Sequence, residues 1–260
     1  MLPRVSIVTP SYNQAHFLEE TIHSVLDQDY PEIEYIIVDG GSTDGSVEII
    51  QRYADRLAWW VSERDQGQTD ALNKGFARAT GDIFAWLNSD DTYLPGAVSE
   101  AVVYLQMHHE VGLVYGDANY IDEVGRVLGK FLSRQTDYRR LLRGFVYIPQ
   151  QTTFFRSDLW RQVGPLDPTL NYAMDYDLWV QLAKITELKY IPCLWANFRL
   201  HDTSKAVAHD GSVWPDMVRV HKRESGGRFS WLGLKAALRP YVYAWLPFQL
   251  RLWLRRLFPW

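Results

Sequence analysis

The sequence predicts an α/β fold, a mostly parallel sheet sandwiched by helices, and three observations predict it. Short apolar runs alternate with segments of helical periodicity between Val5 and Leu87. Each run leads into a polar loop, as strands do at the carboxyl edge of a parallel sheet, where ligands gather. The run Ile83-Phe84-Ala85-Trp86-Leu87 is apolar throughout, which suits a strand covered on both faces. Parallel neighbours require crossover connections, and the intervening helices supply them in the usual right-handed sense.

Residues 5–9 predict the first strand, which ends at Pro10-Ser11-Tyr12-Asn13, and Leu18, Ile22, Val25 and Leu26 mark the helix after it. Residues 33–38 predict the second strand. Its loop, Asp39-Gly40-Gly41-Ser42-Thr43-Asp44-Gly45-Ser46, permits close backbone approach but lacks both the GxGxxG spacing and the terminal Lys of a P-loop. A helix follows, marked by Val47, Ile50, Tyr53, Ala54 and Leu57, then a short strand at residues 59–61 and a polar segment that introduces a helix carrying Ala71, Leu72, Gly75, Phe76 and Ala79. Beyond the apolar run at residues 83–87 the alternation breaks. A helix at 95–107, a strand at 112–115, a hairpin from 119 to 131 turning at 123–126, a strand at 152–155 and a short helix closed by Gly164-Pro165 are expected. Asp175 and Asp177 sit at the start of a further helix carrying Leu178, Trp179 and Leu182.

The chemistry points to the end of the strand at 83–87, where Asn88-Ser89-Asp90-Asp91 follows. Adjacent carboxylates repel unless a cation, donor or proton compensates, and hard oxygen donors suit Mg²⁺ or Mn²⁺. A metal-bridged phosphate is the functional reading. The structural one has Asp91 opening the next turn, with Pro95 at the first position of the following helix. Asp175 likewise reads either as a catalytic group or as a cap that complements the helix dipole. Arg199 and His201 point the same way if their segment is extended, but a lone His is a poor ligand candidate on pattern alone.

With 47% hydrophobic and 22% charged residues, the chain is an ordinary globular one, and disorder is excluded. The single cysteine, Cys193, cannot form an internal disulfide, which favours a reducing compartment. The start Met1-Leu2-Pro3-Arg4 carries no signal-peptide pattern, so a cytoplasmic location is expected. Residues 225–260 hold six basic residues and no Asp or Glu, which leaves −10 for the rest out of a net charge of −4. An acidic body argues against nucleic acid as a partner, whereas the basic, Trp- and Leu-rich tail points to an anionic membrane surface.

Taken together, Thr9-Pro10-Ser11-Tyr12-Asn13, Asp39 to Ser46, Asn88-Ser89-Asp90-Asp91, Met174-Asp175-Tyr176-Asp177-Leu178-Trp179 and Arg199-Leu200-His201 resemble the family 2 glycosyltransferases of the GT-A, Rossmann-like fold. The resemblance covers residues 4–205. It implies an inverting transfer of a sugar from a nucleotide diphosphate-sugar, a UDP-sugar being favoured, to the hydroxyl of a glycan or lipid-linked acceptor. It also implies that Pro10, Tyr12 and Asp39 hold the nucleoside, that Asn88 and Ser89 contact the donor, that Asp90 with His201 binds Mg²⁺ or Mn²⁺, and that Asp175 is the general base. Asp91 and Arg199 are expected to support the metal residues. Two positions depart from the family pattern: Asn88 replaces the first acid of its DxD-type motif, and Met174 replaces the Glu before the base.

Those departures keep a catalytically inactive sugar-nucleotide-binding or membrane scaffold protein open as an alternative. A nucleotidyltransferase is disfavoured, because Thr9 to Asn13 holds neither a Gly nor a basic residue. Two domains are expected, residues 1–228 for the transferase and 229–260 for an amphipathic, helical C-terminal extension. The longest uncharged run there, residues 240–250, falls short of the ~20 residues a spanning helix needs. The tail is therefore expected to lie on the inner face of the cytoplasmic membrane, with the catalytic body or a second copy of the chain as its alternative cover. Residues 116–150 and 205–228, with Gln150 and Gln151, are expected to form the acceptor region.

Overall fold

The computed structural model describes residues 2–131, 133–202, 204, 212–227 and 231–243. A single mixed sheet organises them, with strand order β3-β2-β1-β4-β8-β6-β9-β5 and β7 paired to β6. β1 (Val5–Ser11), β2 (Ile33–Asp39), β3 (Trp59–Ser62) and β4 (Ile83–Trp86) form its parallel half. β1 lies between β2 and β4, so their carboxyl ends share one edge and the crevice opens where the strand order reverses. The other half mixes directions: β8 (Phe154–Arg156) is antiparallel to both β4 and β6 (Val111–Ile121), while β9 (Glu187–Arg199) runs parallel to β6. β5 (Thr92–Tyr93) and β7 (Val127–Phe131) add antiparallel edges.

Period-two alternation distributes the strands' side chains between two cores. Ile36, Val38, Phe84 and Trp86 face one side, where α3 (Gln68–Arg78), α6 (Ser157–Val163), α7 (Met174–Leu182) and α8 (Val213–Ser225) contribute. Ile37, Ala85 and Leu87 face the other, against α1 (Ala15–Leu26) and α4 (Ala97–Met107). The short helices α2 (Ser46–Arg52) and α5 (Tyr138–Leu142) and a last helix, α9 (Trp231–Tyr243), complete the set. Aromatic rings tie the first core together. Phe76 stacks on Phe84 at 5.1 Å, and Trp86, at the end of β4, stacks on Trp179 of α7 at 5.6 Å.

Two expectations change here, and one long strand was not anticipated. The strand at 112–115 and the first arm of the hairpin are one continuous β6, because β9 and β8 pair with it before β7 does. β9 itself escapes the alternation rule. Between the pairs Tyr115–Tyr190 and Asp117–Leu194 it bulges around Pro192, a residue strands tolerate at bulges. Gly116 opposes that bulge, and a Cβ there would lie 2.5 Å from the Cys193 carbonyl. Finally, Asp91 does not open a helix. It precedes β5, Pro95 stays outside the helix, and α4 begins only after Gly96, whose φ of 85° is left-handed.

The segment expected to leave the body begins by joining it. Leu232 of α9 is fully buried, and Lys235 lies over the Phe145 ring at 3.8 Å. Residues 244–260, which hold most of the aromatic and basic tail, lie outside the described residues. No helix among the described residues is long and apolar enough to cross a membrane.

Close seating of α3 on β1 gives a test with an unusual sign. A Cβ on Gly75 would meet Val8 Cγ1 at 2.4 Å. Gly→Ala inside a helix normally gains up to about 1 kcal/mol, whereas overpacking costs about 1–3 kcal/mol. Gly75→Ala is expected to lower stability by that latter amount in denaturant titration, and Val8→Ala in the same chain to recover part of it. A stabilised Gly75→Ala would show that α3 does not sit on Val8.

Candidate active site

The site is built on the carboxyl edge of β1, β2 and β4. At the end of β1, Pro10 is buried, while Tyr12 is 61% exposed and offers its ring face. Asn13, with a left-handed φ of 51°, accepts the Thr43 N–H on its Oδ1 at 2.9 Å and donates its own N–H to Ser42 Oγ at 2.8 Å. Asp44 accepts the N–H of Ala15 at 2.9 Å. The two polar loops that follow β1 and β2 are thus latched to each other.

Asp39, fully buried at the end of β2, shapes the second loop. Its carboxylate accepts the backbone N–H groups of Gly41 and Ser42 and the hydroxyls of Ser42 and Ser62, at 2.5–3.0 Å. Those donors match the roughly four acceptor sites of a carboxylate. A third loop closes in from the side: a Cβ on Gly40 would meet Asp65 Oδ2 at 2.8 Å, so glycine is what permits that approach.

At the end of β4 the four polar residues take separate tasks. Asn88 Oδ1 accepts the Gln68 side-chain N–H at 2.7 Å, and Ser89 is buried. Asp90 Oδ2 meets His201 Nε2 at 3.0 Å, and the imidazole is buried against Phe17 at 4.8 Å. Asp91, only 1% exposed, accepts the Arg199 backbone N–H on Oδ1 at 2.9 Å. Burial, and next the charge of Asp90, push the Asp91 carboxyl well above the usual carboxylate range, against the N–H and charge of Arg199.

Arg199 holds this corner. Its guanidinium donates from Nε to the Asp90 carbonyl at 2.9 Å, from one terminal nitrogen to the carbonyls of Asp122 and Glu123, and from the other to Glu20 at 2.5 Å. It also lies over Phe17 at 4.9 Å. Phe17, Glu20 and Thr21 share one face of α1, and the Thr21 hydroxyl donates to the Asp91 carbonyl at 2.8 Å. Arg199 and His201 therefore converge on Asp90, one on its backbone and the other on its carboxylate.

Asp175 lies in the first turn of α7, partly exposed, with Oδ1 accepting the Tyr176 N–H at 2.7 Å. Asp177 is not a cap. It is buried, accepts from Gln181 at 3.0 Å and pairs with Arg223 of α8. Met174 is 6% exposed and belongs to the core. Gln150 donates to the Trp86 carbonyl at 2.8 Å, and Gln151 is buried beside it in a 3-10 turn. The buried Gln150 Oε1, Gln151 Nε2, Trp86 Nε1 and Trp179 Nε1 have no hydrogen-bond partner among the described residues. Gln68, Glu20 and Arg223 were not among the predicted site residues. Only Gln68 left a signal, the polar run before α3.

Asp90 and His201 together offer one hard oxygen donor and one imidazole nitrogen. No group of three or more His, Cys, Asp or Glu side chains that could hold a metal occurs among the described residues. The pair fits Mg²⁺ or Mn²⁺ bound with a phosphate, since such ions take one or two carboxylates and complete their shell from substrate oxygens and water.

Residues 6–162 match the family described as Glycosyl transferase family 2. An uncharacterised glycosyltransferase of Mycobacterium tuberculosis is 33% identical over 235 residues, covering 87% of each chain. TuaG of Bacillus subtilis, named as a candidate glycosyltransferase of teichuronic acid biosynthesis, is 30% identical over 84% of this chain and 90% of its own. Among solved structures, S. aureus TarS with UDP-GlcNAc superposes with a TM-score of 0.68 at 16% identity, over 84% of this chain and 65% of TarS 1–349. The mannosyltransferase PcManGT of Pyrobaculum calidifontis, solved with GDP-Man and Mn²⁺, has a TM-score of 0.66 at 22% identity over 92% of this chain and 70% of its own. At those identities the structural likeness concerns the fold alone.

The buried Asp91 carboxyl makes stability depend on pH in a defined direction. Its folded pKa lies above its unfolded value, so its contribution is full below about pH 4 and is lost as pH rises through the folded pKa. In metal-free protein, Asp91→Asn keeps an acceptor for the Arg199 N–H but has no proton to lose. Its stability is expected to fall less than wild type's between about pH 4 and pH 8, by about 1.4 kcal/mol for each unit of the shift. Parallel denaturation curves for the two proteins would count against a raised Asp91.

Proposed function

This chain belongs to glycosyl transferase family 2, and from that premise we propose that it is an inverting transferase. Its donor is a nucleotide diphosphate-sugar and its acceptor a hydroxyl on a lipid-linked or growing surface glycan. The observation that carries this reading is the Trp86–Trp179 stack, which packs the strand leading to Asp90 and its His201 neighbour against the helix that has Asp175 in its first turn.

In this reading the nucleoside lies on the β1 and β2 loops, with the exposed Tyr12 ring stacking on the base above Pro10. Asp39 reaches the base by exchanging one of its loop donors, the Ser42 hydroxyl, for a base N–H. Asn88 and Ser89 contact the donor beyond it. A UDP-sugar is favoured, in keeping with the UDP-GlcNAc and UDP bound by TarS, while PcManGT binds GDP-Man. Asp90 and His201 hold Mg²⁺ or Mn²⁺, which when bound offsets the charge of the diphosphate.

Asp175 accepts the acceptor's hydroxyl proton as that oxygen attacks the anomeric carbon. The bond from that carbon to the diphosphate breaks on the opposite face, so configuration inverts in one displacement. Positioning by α7 and the strand edge supplies much of the acceleration. Met174, which stands where the family pattern has a Glu, packs in the core, while Asp175 beside it stays partly exposed at the start of α7. A surface-glycan acceptor follows the likeness to TuaG. The basic tail, beyond its docked first helix, holds the catalytic body on the inner face of the cytoplasmic membrane.

Release of free nucleoside diphosphate from a donor panel, with and without Mn²⁺, is the deciding measurement. Asp90→Asn is expected to nearly abolish it and its metal dependence. Asp175→Asn is expected to bind donor normally but to turn over about 10²–10⁴-fold more slowly. Asp177→Asn should lower the melting temperature more than the turnover number, because its partner is Arg223. An Asp175→Asn protein with wild-type turnover would reduce that residue to a helix cap.

Full-length protein is expected to float with anionic liposomes at low salt. Protein ending at residue 243, which keeps the docked α9, should not. Failure of the full-length chain to float would remove the membrane assignment.

A further inference from the structure

α5 and the loop after it form a second site that the strand edge does not use. Arg134, Arg140, Arg143, Phe145 and Tyr147 line an open cavity of about 280 Å³. At about 30 Å³ of liquid volume per water it holds the equivalent of about nine waters, room for a diphosphate. The two aromatic rings stand nearly parallel, 8° apart, with Arg134 over Tyr147 at 5.6 Å and Lys235 of α9 over Phe145 at 3.8 Å. Among the described residues, the carboxylate that meets these arginines is Asp137, 3.8 Å from Arg140 Nε. Positive charge therefore exceeds negative here, on a chain whose net charge is −4. Burial also holds the Lys235 ammonium below its ordinary range, so a nearby anion would relieve a cost already present.

Position in the fold relates this cavity to the reaction. The Tyr176 hydroxyl donates to the Leu141 carbonyl of α5 at 2.9 Å, and Tyr176 follows Asp175. The loop that carries Phe145 and Tyr147 continues to Gln150, which donates to the Trp86 carbonyl at 2.8 Å. The cavity wall is thus bonded both to the helix of the candidate base and to the end of β4. Guanidinium forks match phosphate oxygens in pairs, and aromatic faces shield such pairs from water.

We propose that the pocket formed by Arg134, Arg140, Arg143, Phe145 and Tyr147, with Lys235 at its rim, binds a phosphate or diphosphate group carried by the acceptor. The inference rests on the transferase reading for the word acceptor, and on the cavity alone for the anion. The pocket holds the acceptor by its charged end, while the sugar hydroxyl to be glycosylated reaches toward Asp175.

The test is calorimetric titration of the full-length protein with inorganic pyrophosphate and with octyl diphosphate, in EDTA, so that no metal-bridged site can form at Asp90. Arg134→Gln/Arg143→Gln should weaken both probes about 100-fold, at about tenfold for each charge-assisted hydrogen bond removed. The arginines are exposed, so the variant is expected to fold, and its melting curve checks this. Arg52→Gln/Arg78→Gln removes the same charge elsewhere and should change affinity less than threefold. Equal weakening in both double variants, or none in the first, would overturn the site. Anionic vesicles separate the sources: flotation abolished in Arg134→Gln/Arg143→Gln, with neither soluble probe bound by wild type, would make this a lipid-headgroup site and overturn the proposal. Donor turnover on the same preparations separates the two readings. Wild type that binds pyrophosphate through these arginines but never turns over a nucleotide-sugar overturns the acceptor assignment. Wild type that turns over donor but titrates pyrophosphate no better than the variant overturns the pocket.

Discussion

The site depends on one buried guanidinium. Arg199 is 1% exposed, and its charge is tolerable there only because backbone carbonyls, the Glu20 carboxylate and the face of Phe17 replace the lost water. Each partner comes from a different element: the loop after β4, the β6–β7 turn and α1. None can shift without leaving a donor unsatisfied in a dry environment. The same residue offers its backbone N–H to Asp91, so the end of β9 grips the acidic loop twice. With that register held, His201 two residues later falls beside the Asp90 carboxylate.

This arrangement divides the adjacent acids by environment. Asp91 faces inward, loses its hydration and behaves as an acceptor for the main chain. Asp90 keeps partial exposure and an imidazole neighbour, so it is the one able to meet a ligand. Asn88, where the family pattern has its first acid, is turned toward the Gln68 amide and adds no charge to that face. A divalent ion here would lean on Asp90, His201 and the phosphates it bridges.

The helix that carries Asp175 is held from the opposite side. Arg223 pairs with Asp177 and also with Glu224, and Lys184 pairs with Glu224, so α7 and α8 are cross-linked by charge. Burial would push the Glu224 carboxyl up, but hydrogen bonds from Lys184 and Arg223 outweigh it and hold it below the ordinary range. The Trp86–Trp179 stack then connects that rigid pair to β4. Asp175 and Asp90 are thereby mounted on elements whose separation is set by packing, while the loop at residues 145–150 is carried on the same frame.

Local pattern was enough to determine the strand-helix alternation through β4, the polar loops at the strand ends and the acids that sit there. Those features are written in neighbouring residues: apolar periodicity, Gly and Asp punctuation, and motif spacing. The second half of the sheet was less legible, because β9 carries a bulge at Pro192 that breaks alternation and pairs with β6 across many residues of chain. Which acid faces a ligand could not be read locally either. Asp90 and Asp91 are chemically identical neighbours, and only the arrival of Arg199, more than a hundred residues later in the chain, buries one and leaves the other partly exposed. The arginine pocket was hidden for the same reason. Its cations are dispersed along residues 134–143 and at Lys235, and it becomes one field only when Leu232 docks α9 against Gly144. Sequence determines the chemistry available at each position. Tertiary structure decides which of those groups lose water together, and burial sets their charge, their partners and their reach.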